Sequence, residues 1–326
     1  MAIATSTMLA EYKALRNEAA LQVRPDAGVL ILRGADRADF LQRMTTNNIQ
    51  ALAAAGPSSG QSCVTVLTSP TAKIVHVFTV VSRTDELWLL PGRGEALALA
   101  RHLRSQIFFM DQVQVEDASS RYVRMRLMGP QALTVLAATG LQKQSLDDGA
   151  WQEREGLVVV HQRQYDLPGF ELIVSPVTQG DIVERLAAAQ AMVLGDEAAY
   201  QARRVELGRP LPSSELVGEY NPLEAGLGWA CAENKGCYTG QEIIARQITY
   251  DKVTRALVGV TGAVLPAANS PLHYDGRSAG VITSVAWSPD LDAAVGLAIV
   301  KRPLDAPGTV LQAGDDAVQV AALPLV

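Results

Sequence analysis

The segment with the clearest chemical content is Lys235-Gly236-Cys237-Tyr238-Thr239-Gly240-Gln241-Glu242. Thr239, followed three residues later by Glu242, has the spacing of a capping box and predicts that a helix begins at Thr239. Cys237 lies two residues before this predicted N-cap, where helix amides and the nearby Lys235 favour thiolate over thiol. The segment therefore predicts a reactive cysteine, and a buried, inert cysteine remains the alternative.

The other two cysteines, Cys63 and Cys231, are expected to be core residues, because free cysteine is usually buried. Three cysteines without a C-x-x-C pair suit a reducing compartment and give no zinc-ligand pattern. The start from Met1 to Asn17 is too polar for a secretory signal, and no apolar run reaches the ~18 residues of a membrane span. We therefore expect a cytoplasmic protein with no bound metal and no membrane partner.

Two further patterns are weaker signs of chemistry. Gly92-Arg93-Gly94 lies between a predicted strand and a helix, but Leu97 occupies the third glycine position of a dinucleotide fingerprint, so a plain turn is predicted. The histidines lack zinc-ligand or catalytic-triad spacing and are expected to be structural. They are His76, His102, His161 and His273.

A basic strip consists of Arg121, Arg124 and Arg126. Arg124 and Arg126 alternate with apolar residues, which predicts that they lie on the solvated face of a strand and not in an RNA-binding platform. The whole chain has 28 Lys and Arg against 34 Asp and Glu, a net charge of −6, and a pI near 5.3. Direct binding of nucleic acid is therefore not expected.

Composition and hydropathy patterning indicate an ordered protein of about two domains, with three small ones possible, because 48% of the 326 residues are hydrophobic and 19% are charged. A strand over Val29 to Leu32, a break at Gly34 and a helix over Asp36 to Ile49 form one unit. The same order recurs at Gly129, with the offsets to the apolar helix positions repeated. The repeat predicts two related α+β lobes with antiparallel sheets, and chance similarity of two common turns is the alternative.

The remaining predicted elements support this organisation. In the first 250 residues they are the strands Cys63 to Leu67, Ile74 to Val81, Leu87 to Leu90, Leu157 to His161 and Phe170 to Val174, and the helices Glu95 to Ser105, Ile182 to Met192 and Glu197 to Leu207. Short strands separated by Gly, Pro, Asn and Asp turns follow from Thr254 and predict a small barrel or sandwich. We place the domain boundary between residues 250 and 251.

The Lys235 to Glu242 segment resembles the signature of the YgfZ family, folate-binding proteins related to the glycine cleavage T-protein, an aminomethyltransferase. Weaker similarities cover most of the chain. They include Leu32 to Gln42, Arg204 to Pro210, Asn221 to Leu227 and Gly280 to Ser284. The resemblance implies an α+β fold of two interleaved lobes and a C-terminal β-barrel arranged as a ring around tetrahydrofolate.

The same resemblance implies a role in the assembly or repair of iron–sulfur enzymes, including enzymes that modify tRNA, with Cys237 as the functional residue. It places Glu206 where a carboxylate accepts two N–H groups of the pterin. Lys235, Tyr238 and Arg246 are the other implied folate contacts, Arg246 with the carboxylate tail. Iron–sulfur client or assembly proteins are the implied partners.

Two other functions remain open. One is a tetrahydrofolate-dependent aminomethyltransferase or demethylase of the T-protein type, which depends on a carboxylate in the hairpin that follows the first lobe. His76 and Val77 occupy the acidic positions of that pattern, so this group is missing. The segment Pro70-Thr71-Ala72-Lys73 also departs from the Pro-Lys-Gly-Lys usual in the YgfZ pattern. The other alternative is a non-catalytic adaptor with a vestigial folate site.

Overall fold

The computed structural model describes residues 5–52, 56–142 and 146–326. The helices are α1 (Ser6–Asn17), α2 (Arg37–Gln42), α3 (Ala96–Ser105), α4 (Ala132–Ala138), α5 (Gln179–Ala188), α6 (Ala198–Glu206) and α7 (Gln241–Thr249). The first eleven strands are β1 (Ala20–Arg24), β2 (Leu30–Arg33), β3 (Ser59–Thr68), β4 (Ile74–Ser82), β5 (Leu87–Pro91), β6 (Gln114–Asp117), β7 (Val123–Met128), β8 (Ala150–Arg154), β9 (Leu157–Gln162), β10 (Gly169–Val174) and β11 (Met192–Val193). The last six are β12 (Arg255–Thr261), β13 (Pro271–Tyr274), β14 (Arg277–Ser288), β15 (Ala293–Lys301), β16 (Val310–Ala313) and β17 (Asp316–Ala321).

The first eleven strands form one sheet in the order β11-β1-β7-β10-β9-β8-β3-β4-β5-β2-β6. Strand β1 pairs with β7, whereas β2 to β6 form their own group, so the chain enters one lobe, builds the second and then returns to the first. The lobes join where β3 pairs antiparallel with β8, with Gly60 opposite Trp151. The interleaved α+β lobes predicted from the sequence are therefore confirmed.

The repeated strand-glycine-helix unit has the same local geometry in both lobes. Gly34 links β2 to α2 with φ 105°, and Gly129 links β7 to α4 with φ 100°. Helix α2 is shorter than predicted: it ends at Gln42 and not at Ile49. Beyond it, Thr46 N–H donates to the Val66 carbonyl, which draws the chain onto β3 instead of continuing the helix.

In each lobe two helices pack on one sheet face. Leu136 of α4 and Leu186 of α5 lie in the core of one lobe, and Phe40 of α2 and Leu103 of α3 lie in the core of the other. The opposite sheet faces meet each other in a third buried cluster that combines both lobes. It contains Val29, Ile31, Val81, Trp88, Leu90, Ala118, Trp151, Val158, Val160 and Ile173. Residues on these faces are therefore inside the molecule, a placement that decides where the site lies.

The last six strands form a closed barrel in the order β12-β15-β14-β13-β16-β17. The sequence predicts strands that overlap five of these six and misses β13: Ala256 to Val260, Gly280 to Val285, Ala294 to Ile299, Thr309 to Leu311 and Ala317 to Ala321. It also misses α1, β1, β6, β8 and β11. Val205 of α6 packs against Val295 and Leu297 of the barrel, and Arg204 Nη2 donates to Ser284 Oγ at 2.7 Å. Helix α6 thus connects the lobes to the barrel. No helix in the described residues is long and apolar enough to cross a membrane.

Candidate functional site

A cavity of about 220 Å³ lies where the inner sheet face of the first lobe meets α6 and the turn after β5. We call it the arginine cavity. Its charged and aromatic lining residues are Arg24, Arg93, Arg124, Tyr165, Asp166, Glu171, Glu197 and Tyr200. Pro91, Pro210, Leu211 and Pro212 add an apolar wall. A cavity with apolar walls and convergent polar groups is the usual form of a small-molecule site.

Asp166 organises one side of the arginine cavity. Its carboxylate accepts from Arg24 Nη1 at 2.6 Å and from the Tyr200 hydroxyl at 2.8 Å. The Leu167 N–H also donates to it at 2.6 Å. Burial opposes ionisation of Asp166, but the Arg24 and Arg126 guanidiniums outweigh it and hold the pKa of this carboxyl well below its usual range.

Glu171 organises the other side, and it corrects the prediction that Arg124 and Arg126 lie on a solvated face. Both arginines are buried. Arg124 Nε donates to Glu171 at 2.6 Å, and Arg126 donates to the carbonyls of Tyr165 and Leu167 at 3.1 and 2.6 Å. The alternation along the strand was interpreted correctly, but the face opposite the helices meets the other lobe and not water.

Two buried nitrogens of this network, Arg24 Nη2 and Arg126 Nε, lack a hydrogen-bond partner in the described residues. Arg24 Nη2 is buried without a hydrogen bond in the described residues, although Arg24 lines the arginine cavity. The Tyr165 hydroxyl, also at the cavity, has no hydrogen-bond partner there, and burial raises the pKa of Tyr165, so the phenol stays protonated. A buried donor without an acceptor is costly, so Arg24 Nη2 suits a ligand that brings an acceptor atom, and the half-buried Tyr165 hydroxyl lies at the same cavity.

A second cavity of about 210 Å³ shares Gln162 and Tyr165 with the first. Asn47 and Cys63 line it from one lobe and His161 from the other, with Trp229 beside them. Gln162 connects the two walls, because its amide donates to Thr79 Oγ1 at 2.5 Å and accepts from Arg126 at 2.5 Å. The two cavities together offer room for a ligand longer than a single ring.

The predicted capping box of the Lys235 to Glu242 segment does not form. Helix α7 begins at Gln241, and Gly240 is its N-cap with φ 82° and no side-chain cap. Thr239 instead makes tertiary contacts: its N–H donates to the Arg43 carbonyl at 3.1 Å, and its own carbonyl accepts from Thr68 Oγ1 at 2.6 Å. A Cβ at Gly240 would lie 2.8 Å from the Ser69 carbonyl oxygen, so the loop packs too closely on the β3–β4 turn for another residue.

Lys235 anchors this segment. Its buried ammonium donates to the Gln42 and Asn47 carbonyls at 2.8 and 2.7 Å and also to the Thr45 carbonyl. Burial lowers the pKa of Lys235 to about 8. The ammonium lies 4.9 Å from the centroid of the Tyr238 ring, and Tyr238 is itself buried. Both side chains therefore hold the loop in place, and neither lines the arginine cavity or the second cavity.

The three cysteines differ in exposure. Cys237 is exposed, Cys231 is buried and Cys63 is half-buried against the core. Burial raises the pKa of the Cys63 thiol to about 12 and that of Cys231 to about 11. The expectation that Cys63 and Cys231 are core residues agrees with this structure, and Cys237 is the accessible thiol.

The predicted folate contacts do not meet at one place. The Glu206 carboxylate is buried between α1, α6 and the barrel, where it accepts from Tyr12 at 2.7 and 2.9 Å, Arg203 at 2.8 Å and Ser288 at 2.6 Å. Arg246 is exposed on α7 and pairs with Glu242 at 2.7 Å. Neither lines the arginine cavity, and the direct contacts expected of them stay predictions.

Comparison with known proteins follows the same division of the chain. Residues 2–235 match the GCVT N-terminal domain, and residues 254–325 match the glycine cleavage T-protein C-terminal barrel domain. The chain belongs to the glycine cleavage T-protein family. The T-protein family assignment agrees with the α+β lobes and the closed barrel described above.

Individual T-protein relatives match over most of the chain. An aminomethyltransferase of Mycolicibacterium paratuberculosis is 27% identical over 94% of this chain and 83% of its own length. A chloroplastic protein of Arabidopsis thaliana, for which a transferase activity is proposed, is 29% identical over 89% of this chain and 67% of its own length. The crystal structure of aminomethyltransferase T from Bartonella henselae superposes with a TM-score of 0.86 at 23% identity, covering 98% of this chain and 89% of that one.

The β3–β4 hairpin departs from the acidic pattern expected of an aminomethylating T-protein. Val77 is buried in an apolar cluster with Val66 and Leu227. His76 Nδ1 lies 3.2 Å from Glu95 Oε2, and its ring lies 6.0 Å from that of His102. The fold thus brings His76 and His102 together, although their spacing in the sequence predicted no common site. No group of three His, Cys, Asp or Glu residues in the described ranges could hold a metal ion.

Sequence reasoning missed the arginine cavity altogether. Its charged strand residues alternate with apolar ones: Arg24 on β1, Arg124 on β7 and Glu171 on β10. The buried Arg126, also on β7, pairs with Glu171 without lining the cavity. The signal that could have identified the cavity is the presence of opposite charges at period-two positions in several strands, which a buried face must pair.

Proposed function

We propose that this chain is a folate-binding member of the T-protein family of the YgfZ type, which supports the assembly or repair of iron–sulfur enzymes, including those that modify tRNA. The observation that carries the proposal is the exposure of Cys237 on a loop that the buried Lys235 holds in place. An accessible thiol on an ordered loop suits a contact with another protein's thiol, sulfur species or cluster.

The arginine cavity fits a reduced folate, because the pterin carries both acceptor and donor atoms on one edge. Arg24 Nη2 and the Tyr165 hydroxyl would donate to its acceptors, and the Asp166 and Glu171 carboxylates would accept from its N–H groups. Tyr165 also offers an aromatic face to the ring. A bound tetrahydrofolate would supply a carrier for one-carbon units.

Glu206 does not line the arginine cavity, but it stabilises α6, which does. Its carboxylate fixes the last turn of α6 against α1 and the barrel, and the first turns of α6 present Tyr200 and Gln201 to the cavity. We infer that Glu206 positions the folate site rather than contacts the pterin.

An aminomethyltransferase is the second candidate, favoured by the names of the relatives. Such a reaction needs a carboxylate near the reacting nitrogen, and His76 and Val77 stand at the acidic positions of the pattern. The protein is therefore expected to release no methylene-folate from tetrahydrofolate and sarcosine or a methylamine-loaded carrier. Turnover above background would select the enzyme instead.

Folate binding is tested by titrating tetrahydrofolate against tryptophan fluorescence, for which Trp229 at the second cavity is a reporter. Tyr165→Phe removes a hydroxyl without a partner in the described residues, so affinity should fall about fivefold while stability changes little. Tyr122→Phe, outside both cavities, is the matched control. Equal affinities for the wild type and Tyr165→Phe would remove the hydroxyl from the proposed site, and no fluorescence change in the wild type would favour the adaptor.

The role of Cys237 is tested in cells that lack the protein. Cys237→Ser should abolish support of iron–sulfur enzymes, read as the content of the modified nucleosides they make in tRNA. Folate affinity and thermal stability should stay unchanged, because the side chain is exposed. Full support by Cys237→Ser would show that the thiol is dispensable.

A further inference from the structure

Two arginines beside the second cavity have no acidic partner. Arg163 is exposed and lines this cavity, and the half-buried Arg209 contacts the same stretch of backbone. Neither guanidinium forms an ion pair with a carboxylate in residues 5–52, 56–142 and 146–326. In contrast, each arginine that lines the arginine cavity is paired with a carboxylate. The second cavity therefore has cations that are free to bind an anionic ligand.

Arg209 holds the wall of the second cavity in place. Its Nη1 donates to the Gln164 carbonyl at 2.7 Å, and its Nη2 donates to the Arg163 carbonyl at 3.1 Å. Burial lowers the pKa of Arg209, while Asp166 and Arg126 act on it with opposite signs, but a guanidinium stays protonated at neutral pH. Arg209 thus adds positive charge and fixes the backbone from which Arg163 projects.

The other titratable groups of the second cavity do not cancel this charge. Asp148 is the carboxylate among the described lining residues, and its Oδ1 accepts from the backbone N–H of Arg163 at 2.9 Å without pairing with the guanidinium. His161 also lines the cavity, and its Nδ1 lies 2.7 Å from the Leu146 carbonyl oxygen. Two guanidiniums against one carboxylate leave an excess of positive charge at this place.

The arginine cavity and the second cavity meet along residues 162–165. Gln162 and Tyr165 line both cavities, whereas Arg163 and Gln164 line the second alone. Trp229, which also lines the second cavity, is 40% exposed, so this cavity is in contact with solvent. A ligand with its ring in the arginine cavity would pass Tyr165 and reach solvent beside Arg163.

We propose that the second cavity binds the p-aminobenzoyl-glutamate tail of the folate, that Arg163 pairs with the tail carboxylates, and that the protein therefore prefers folates with an oligo-γ-glutamyl chain. The inference rests on the proposed function, because it needs the pterin in the arginine cavity. Each added γ-linked glutamate brings one more carboxylate toward Arg163. Trp229 offers an aromatic face to the benzoyl ring of the tail.

Arg246, the tail contact implied by the family resemblance, suits this role less well. Its guanidinium donates to Glu242 at 2.7 Å on the exposed side of α7, and it lines neither the arginine cavity nor the second cavity. A carboxylate ligand would have to compete with Glu242 for Arg246, whereas Arg163 has no such competitor in the described residues. The charges therefore favour Arg163 as the residue that pairs with the tail.

The test compares the affinities of tetrahydrofolate with one glutamate and with three, measured by isothermal titration calorimetry. The wild type should bind the triglutamate about fivefold more tightly, since ion pairs at an exposed arginine add little each. Arg163→Gln should reduce this preference to less than about twofold with thermal stability unchanged, and Arg163→Lys should keep most of it because the charge remains. The matched control is Arg101→Gln, an exposed arginine on α3 without an ion pair in the described residues, and it should match the wild type.

Salt supplies a second readout, because NaCl screens exposed ion pairs and should reduce the preference of the wild type for the triglutamate. Equal affinities of the wild type for the two folates, or a preference that Arg163→Gln retains, would overturn the tail site and leave folate binding standing. A preference lost in Arg246→Ala and kept in Arg163→Gln would place the tail at α7 and also overturn it. If the wild type binds neither folate, the proposed folate site is wrong and the tail site is wrong with it.

Discussion

The arginine cavity and the Lys235 to Glu242 loop are built in opposite ways. The cavity combines side chains from β1, β7, β10 and α6, and the charges on its strands are buried and paired with charges nearby. The loop comes from one stretch of eight residues, and a single lysine ties it to three backbone carbonyls of the second lobe, that of β2 to β6. A contiguous motif is visible in the sequence, whereas a site assembled across strands is visible only after the strands pair.

The charged side chains of the two regions also differ in what they bind. Around the cavity, several guanidiniums share two carboxylates, so removing one member leaves the others buried with one partner fewer. In the loop, the Lys235 ammonium binds backbone carbonyls, and the Cys237 side chain is exposed to solvent. We therefore expect substitutions in the cavity to affect stability first and those in the loop to affect function first.

The largest effect is expected from Arg126→Met. The change removes a buried cation from Glu171 and leaves the carbonyls of Tyr165 and Leu167 without a donor. The free energy of unfolding should fall by about 3 to 5 kcal/mol, measured by urea denaturation. The control is Arg121→Met, at the exposed end of the basic strip. It should change the free energy of unfolding by less than about 0.5 kcal/mol. A loss below about 1 kcal/mol for Arg126→Met would mean that the network adds little stability.

A smaller loss is expected from Lys235→Met. The carbonyls of Gln42, Thr45 and Asn47 lose their shared donor, and the methionine fills the space without replacing it. Urea denaturation should show a loss of about 1.5 to 3 kcal/mol, with Lys252→Met, in the turn after α7, as the control. If Lys235→Met is as stable as the wild type, the loop is held by its other contacts, such as Thr239 with Arg43.

The acid dependence of stability should report on Asp166. Its folded pKa lies below its unfolded value of about 3.9, so the ion pair with Arg24 adds stability above that pH and loses it as the pH falls toward the folded pKa. Asp166→Asn does not titrate, so its unfolding free energy should fall less steeply between about pH 4 and 2. Urea denaturation across this range, with the exposed Asp181→Asn as control, checks the slope. Parallel curves for the wild type and Asp166→Asn would contradict it.

The smallest effect is expected from Arg246→Ala. Its guanidinium is exposed and pairs with Glu242 one turn away, a contact of little value in solvent. Tetrahydrofolate affinity should change by less than about twofold, in contrast to Tyr165→Phe, when both are measured by fluorescence titration. A tenfold loss in Arg246→Ala would restore the predicted contact with the folate tail and extend the folate site toward the loop.

Local patterns in the sequence were informative where one element carries the signal. The β3–β4 hairpin, the strand-glycine-helix units at Gly34 and Gly129, and most barrel strands follow from periodicity and turn residues. Helix ends were less accurate: α2 stops at Gln42 and α7 starts at Gln241, because tertiary hydrogen bonds to Val66 and Arg43 compete with helix continuation and capping.

The sequence alone determined the family resemblance, the α+β class, the C-terminal barrel and the one cysteine with a motif around it, because these depend on neighbours in the chain. Only the tertiary structure decided that Arg124 and Arg126 are buried, that Glu206 is held by Tyr12 and Ser288, and that Arg24 keeps a free donor at a cavity. The physical reason is that burial of a strand face depends on what packs against it. Here that partner is the second lobe, whose strands are inserted in the chain between β1 and β7.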